Sequence, residues 1–280
     1  MHHGSFLLMT VMHGQRHKNN FMKVFTMAEM MASGEQPEIL FWVGCAGSFD
    51  QRAQKITKAF ATILHKAGVK YAILGKEEAC TGDPARRAGN EFMFQMMAYQ
   101  NIQILNGYNI KKIVTTCPHC FNTLKNEYPI LGGNYDVIHH TQFLQELIEQ
   151  GKIKFTDSNE WKGKTITYHD SCYLGRANEI YEAPRKVLES LDMELKEMKR
   201  CKSKGLCCGA GGAQMFKEEE KGDKRINTER AEEARATATD FVASACPFCN
   251  TMLSDGLKVA ENQHDPAVLD IAEIVAQAII

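Results

Sequence analysis

Short apolar runs and amphipathic stretches alternate along most of this chain. Residues 39–43 read as a buried strand, after which Ile56, Phe60, Ile63, Leu64 and Ala67 recur at the spacing of one helix face. Gly68 closes that helix before the next apolar run at 71–74. Further strand-like runs lie at 112–116 and 137–140, the second leading into a helical stretch marked by Phe143, Leu144 and Leu147. The later half repeats the scheme with runs at 165–168, 241–245 and 268–271, the last leading into Ile274, Val275 and Ala278. Short strands alternating with helices of about 10 to 15 residues predict parallel α/β units joined by right-handed crossovers.

The cysteines divide the chain in the same way. Nine of the ten fall into two matching sets: Cys45, Cys80, then Cys117-Pro118-His119-Cys120; and Cys172, Cys207-Cys208, then Cys246-Pro247-Phe248-Cys249. With Ala79-Cys80 set against Cys207-Cys208, corresponding positions are offset by 127, 128 and 129 residues. Each C-P-x-C follows a strand-like run and leads into a helix. The expected architecture is therefore α/β, with two tandem pseudo-symmetric cysteine-rich domains, each a small mainly parallel sheet flanked by helices. The first domain is read over 38–150 and the second over 165–280. A polar linker at 151–164 carries Gly151, Asp157, Ser158, Asn159 and Gly163. Residues 1–37 show little periodicity and four candidate starts, Met1, Met9, Met12 and Met22, and are read as a leader. If the repeats fold alike, their cysteine loops face one another about a pseudo-two-fold axis, with room for a site between them.

Composition narrows the chemistry. The 280 residues hold 33 basic and 34 acidic side chains, a net charge of -1, which gives no broad attraction to nucleic acid or anionic lipid. No window approaches the roughly 18 apolar residues that span a bilayer. The short apolar stretch at 6–12 follows two histidines and no Lys or Arg, unlike a secretory signal. A cytoplasmic location follows as the expectation, with membrane association only peripheral and through a partner. Ten cysteines in such a chain favour metal or redox use over a disulfide framework.

Five thiols from three loops suit a four-coordinate zinc site poorly. A thioredoxin-type pair would account for two of them. Adjacent cysteines in a loop rich in glycine, here Gly205, Gly209, Gly211 and Gly212, can grip different metal atoms of one cluster while backbone amides hydrogen-bond its sulfurs. Thiolates select iron–sulfur assemblies, zinc or copper(I). The first set has Ala79 at the place aligned with the doublet's first cysteine and keeps four thiols: Cys45, Cys80, Cys117 and Cys120. A conventional [4Fe-4S] cluster, a noncubane one with a substitute ligand, and zinc all stay open there.

Other residues carry weaker signals. His169 and Asp170, just before Cys172, are candidates to tune a cluster or relay a proton, against a plain loop-supporting role. His119 is a candidate to line a cluster, whereas His139 and His140 read as satisfied structural groups. Arg86, Arg87 and Arg176 are candidates to neutralise thiolates, although surface ion pairs are the commoner fate of arginine. Met93, Met96 and Met97 read as core packing, and Cys201 as a free thiol. Gly209-Ala210-Gly211-Gly212 belongs to the cysteine loop and no G-x-G-x-x-G opens a helix, so no nucleotide site is inferred.

Cys172, Cys207-Cys208-Gly209 and Cys246-Pro247-Phe248-Cys249, together with the run from His169 to Arg176, resemble the cysteine-rich CCG domain of the heterodisulfide reductase B subunit. The resemblance covers about residues 38 to 280 and extends to the iron–sulfur subunits of glycolate, lactate and glycerol-3-phosphate oxidation systems. It implies that Cys172, Cys207, Cys208, Cys246 and Cys249 hold a noncubane [4Fe-4S] cluster, with Gly209 in the binding loop. It implies an oxidoreductase subunit passing electrons from a ferredoxin-domain or flavoprotein partner to a quinone-linked or thiol/disulfide acceptor. Direct disulfide reduction would need both sites to be of the special type, and the four-thiol first set departs from that pattern. A zinc-stabilised interaction module without redox activity is the alternative.

Overall fold

The computed structural model describes residues 23–156, 159–218, 221–259 and 265–279. The four candidate starts, the apolar stretch at 6–12, and Asp157 and Ser158 of the linker lie outside them. Two four-stranded sheets form the framework. The first contains β1 (Ile39–Trp42), β2 (Tyr71–Ala72), β3 (Lys112–Thr115) and β4 (Asp136–His139) in the order β2-β1-β3-β4. The second contains β5 (Thr165–Tyr168), β6 (Glu194–Leu195), β7 (Phe241–Ser244) and β8 (Ala267–Asp270) in the order β6-β5-β7-β8. Every pairing is parallel, so the repeat seen in the cysteines is a repeat of topology. β1 is buried at all its positions, as a central parallel strand covered on both faces requires.

The helices fall where the apolar periodicity places them. Gln51–Lys66 is capped by Asp50, whose carboxylate accepts from Ala53 N at 2.7 Å, and buries Ile56, Phe60, Ile63 and Leu64. These side chains share one core with Ile271, Ile274 and Val275 of the C-terminal helix Ile271–Ala278 and with Val187 and Leu188 of Glu182–Glu189. The repeats are thus fused through a common core. Arg52 reinforces the seam with a two-pronged ion pair to Glu273, at 2.8 and 2.6 Å.

Three sequence readings change. Packing starts before residue 38: Thr26 and Glu29 form a capping box for the helix Met27–Ala32, whose Met27 and Met30 are buried, and Thr26 bridges Ile73 in parallel. That bridge takes up the apolar run beyond the two residues of β2. The segment 151–164 is more than a polar tether, because Ile153 and Trp161 are buried in the shared core and Phe155 bridges Ile279. Finally, Met93 and Met96 are exposed and Met97 is half-buried, so they are not core. The helix Glu91–Gly107 is apolar on more than one side and turns Phe94, Ala98, Ile102 and Leu105 inward instead.

Candidate metal centre

In each sheet the strand order reverses between its two central strands, β1 and β3 or β5 and β7, which opens a crevice beyond their carboxyl ends. All nine paired cysteines lie in loops and helix starts at those ends. Pro118 and Pro247 begin the helices Pro118–Asn122 and Pro247–Lys258, where a fixed φ and a missing N–H cost nothing. Cys117 and Cys246 hold the N-cap positions, and Cys120 and Cys249 sit in the first turn. Of these four thiols only Cys117 is held below its ordinary pKa, chiefly by the hydrogen bond from Cys120, while Cys120, Cys246 and Cys249 are pushed well above it.

The sulfurs of the second set touch in an unbroken chain, and those of the first in two pairs. In the second repeat Cys172 and Cys208 both hydrogen-bond Cys207, and Cys208 also reaches Cys249, which reaches Cys246. The Gly209 amide donates to Cys207 Sγ at 3.3 Å. The bond from Cys172 is the largest of the influences that hold the Cys207 thiol far below its ordinary pKa. In the first repeat Cys45 bonds Cys80 and, with the Gly82 amide at 3.5 Å, brings its pKa down to about 7 against the cost of burial. Cys117 accepts from Cys120 and also from Cys246 across the repeats. The two sets of thiols therefore meet, at a pair of counterpart cysteines. All ten cysteines are free thiols, and half-buried Cys201 lies outside both sets.

The geometry corrects the alignment of the first set. Gly82 and Gly209 have φ of 88° and 90°, and each donates its amide to the sulfur two residues before it. Thr81, buried like Cys208, directs Oγ1 to Cys120 Sγ at 4.0 Å, as Cys208 bonds Cys249. Cys80-Thr81-Gly82 is therefore the counterpart of Cys207-Cys208-Gly209, and the missing thiol belongs at Thr81 rather than Ala79. Ala79 donates its amide to Asn101 Oδ1 at 3.4 Å. The offset from Cys80 to Cys207 is then 127 residues, that of Cys45 and Cys172.

Polar groups surround the sulfurs. A ring nitrogen of His169 and the Sγ atoms of Cys208 and Cys249 all lie within 4.8 Å of one another. Arg230 Nε donates to His169 Nδ1 at 2.9 Å. Burial, then Arg230, pushes the His169 pKa down to about 3, so the ring is neutral. Asp170 accepts from Arg185 at 2.8 and 3.0 Å and from Lys202 N at 2.6 Å, which pins its carboxylate in the loop. His119 Nδ1 lies 3.0 Å from Asp83 Oδ2, and its ring stacks near Tyr173 and Phe248 of the second repeat, at 4.4 and 5.4 Å between centroids. Arg86 and Arg87 pair with Glu127, Arg87 also with Asp83, and Arg176 donates to the Gly205 carbonyl. His139 Nδ1 lies 2.8 Å from Thr141 Oγ1 and His140 Nε2 3.1 Å from Asp270 Oδ1, while among the described residues His140 Nδ1 is buried without a hydrogen-bond partner.

Sequence reasoning missed Thr81, Arg185 and Arg230. The two arginines reach the site from distant helices, and no local pattern marks them. The glycine at offset 127, by contrast, was a readable sign of Thr81.

The donor set suits a metal–sulfur group. The five thiols of the second cluster exceed what mononuclear zinc takes, and among the described residues that cluster is edged by one buried polar atom without a hydrogen-bond partner, His169 Nε2. Fold and site define a two-repeat parallel α/β protein with thiol clusters at paired switch points. The chain belongs to the CCG cysteine-rich domain family, whose model matches residues 39–125 and 166–254. It is 46% identical over 256 residues to the "Probable iron-sulfur-binding oxidoreductase FadF" of Bacillus subtilis, covering 91% of this chain and 36% of that one. It is 43% identical to the EtfAB:quinone oxidoreductase of Syntrophomonas wolfei, covering 88% and 35%. Its identity to one of the subunits of the dihydromethanophenazine:CoB--CoM heterodisulfide reductase of Methanosarcina barkeri is 37%, covering 88% and 60%. The chain thus spans about a third of the length of the first two.

Proposed function

We propose that this chain is the iron–sulfur electron-transfer module of an oxidoreductase. It receives electrons from a ferredoxin-domain or flavoprotein subunit and delivers them to a quinone-linked or thiol/disulfide acceptor. The observation that carries this reading is the contact of Cys117 with Cys246, both buried, which brings the two sets of thiols together. Relatives named as an iron–sulfur oxidoreductase, a quinone oxidoreductase and a heterodisulfide reductase component support it.

In this reading Cys172, Cys207, Cys208, Cys246 and Cys249 hold a noncubane [4Fe-4S] cluster, and Cys45, Cys80, Cys117 and Cys120 hold a second group. A bound iron–sulfur cluster supplies reversible one-electron storage. The residues of this chain do the rest. Their thiolates bind, the Gly82 and Gly209 amides offset negative charge on sulfur, and the buried side chains packed around each set keep water from it. Four thiolates at the first site match a conventional [4Fe-4S] cluster. That asymmetry places electron relay ahead of direct disulfide reduction. Among the described residues no helix is long and apolar enough to cross a membrane.

Anaerobic purification with iron, zinc and acid-labile sulfide analysis tests this directly. Iron with matching sulfide is expected, and a colourless zinc protein without sulfide would refute the proposal in favour of a structural zinc module. Cys208→Ser is expected to abolish the second site's distinctive spectrum. Full iron, sulfide and signature in that variant would overturn the five-thiol assignment.

A further inference from the structure

We infer that His169 serves the second thiol cluster as a fixed N–H hydrogen-bond donor rather than as a ligand, and that Arg230 is the residue that fixes it so. The inference rests on the proposed cluster at that site.

The geometry of the imidazole decides the role. Arg230 Nε is always a donor, so the nitrogen it meets at 2.9 Å, His169 Nδ1, must present its lone pair. In a neutral imidazole the proton then resides on Nε2. Nε2 is buried and has no partner among the described residues, while a ring nitrogen of His169 lies within 4.8 Å of the Cys208 and Cys249 sulfurs. A protonated Nε2 has no lone pair for a metal but a hydrogen to give to sulfur. The grouping of one histidine with two cysteines looks like a metal site by its atoms alone, and Arg230 reverses that reading.

Arg230 is placed for the task. It comes from the helix Ile226–Arg235, its side chain is fully buried, and Nη1 is tied to the Arg200 carbonyl at 2.8 Å and to Glu233 at 3.0 Å. Those two bonds fix the guanidinium, so the direction of Nε follows from the fold. A hydrogen-bond donor held beside a thiolate-bound group stabilises its more electron-rich state and raises its reduction potential. Arg230 thus acts through His169 as a positioning residue, and the pair presets the second site's potential relative to the first.

The test begins on the unaltered protein with histidine labelled by 15N, after iron and sulfide analysis. Absence of cluster at that stage refutes the proposed function and is recognised before any histidine measurement. With cluster present and poised in its paramagnetic state, pulsed electron paramagnetic resonance should show a weak histidine nitrogen coupling together with an exchangeable proton. The strong coupling of a directly bonded nitrogen, or no histidine coupling, would overturn the inference. Redox titration supplies the second arm. His169→Leu should keep the iron and move the second site's potential to more negative values. Arg230→Met should move it the same way and broaden the nitrogen signal, and Arg230→Lys, which keeps a donor, should recover part of the shift. Unchanged potentials in iron-replete His169→Leu would sink the donor role. If the arginine variants fail to fold, the labelled native protein still decides between donor and ligand.

Discussion

Thr81 is the residue on which the two halves diverge. Its hydroxyl occupies the place of the Cys208 sulfur and reaches Cys120 at 4.0 Å, beside a glycine with the same positive φ. Thr81→Cys is therefore expected to give the first site the full thiol set of the second. Iron-replete protein should then show a second copy of the distinctive spectrum, while Thr81→Ser should leave the first site as it was. If Thr81→Cys leaves the spectrum unaltered but Ala79→Cys changes it, the structural correspondence is wrong. Which cysteines belong together was legible from spacing, because a repeat of loops preserves chain length to within a residue or two. Which residue had replaced the missing thiol was not, because an alignment counting cysteines tolerates a one-residue slip that a glycine with positive φ does not. Arg230 and Arg185 were illegible for another reason: their partners lie 61 and 15 residues away, and contact at such range carries no periodic signal.

At the scale of elements, the loops after the short strands β2 and β6 depend on backbone that only glycine adopts easily. A Cβ on Gly82 would lie 2.9 Å from Phe94 Cδ2 and 3.2 Å from the Phe94 carbonyl oxygen, in addition to the strain of its positive φ. The Gly209 position is strained alike, but its nearest contact would be an ordinary 3.4 Å to Ile226. Positive φ alone costs a residue with a side chain about 1 to 2 kcal/mol, so Gly82→Ala should lose more stability than Gly209→Ala. Denaturant titration of both variants checks the order, and iron analysis should show the loss from Gly82→Ala concentrated at the first site. Equal destabilisation would mean that the Phe94 helix yields freely. The helices and strands themselves were largely readable, since parallel strands covered on both faces are continuously apolar. The direction of the Met93 and Met96 face was not, because a helix apolar on more than one side gives its period no single preferred face.

For the whole molecule, the fusion of the repeats places ionisable groups where single domains would have surface. Asp270 caps the C-terminal helix by accepting from Ala272 N at 2.9 Å, meets His140 of the other repeat at 3.1 Å, and has its second oxygen buried without a partner among the described residues. Burial drives its pKa from the ordinary 3.8 up to about 7, the Ala272 amide and Arg52 only moderating the rise. His140 is driven down to about 3 by the same burial, so the pair is uncharged in mildly acidic solution. The consequence for stability has a definite sign. Below about pH 4 folded and unfolded chains both keep the Asp270 proton and its contribution is fully present. Between about pH 4 and pH 7 the folded chain holds a proton that the unfolded chain has released, so stability falls as pH rises. Above about pH 7 both have lost it and the dependence levels off. At about 1.4 kcal/mol per tenfold change the whole effect is at most about 4 kcal/mol. Asp270→Asn keeps a side-chain acceptor for the cap and removes the proton, so its unfolding free energy should lack this part of the slope. Comparing denaturant unfolding of the two proteins at pH 5 and pH 8 isolates the Asp270–His140 pair, since titrating groups remote from it cancel in the difference. Asparagine should cost least, or gain most, relative to the native protein at pH 8. A difference independent of pH would show that Asp270 ionises normally and that the seam between the repeats admits water.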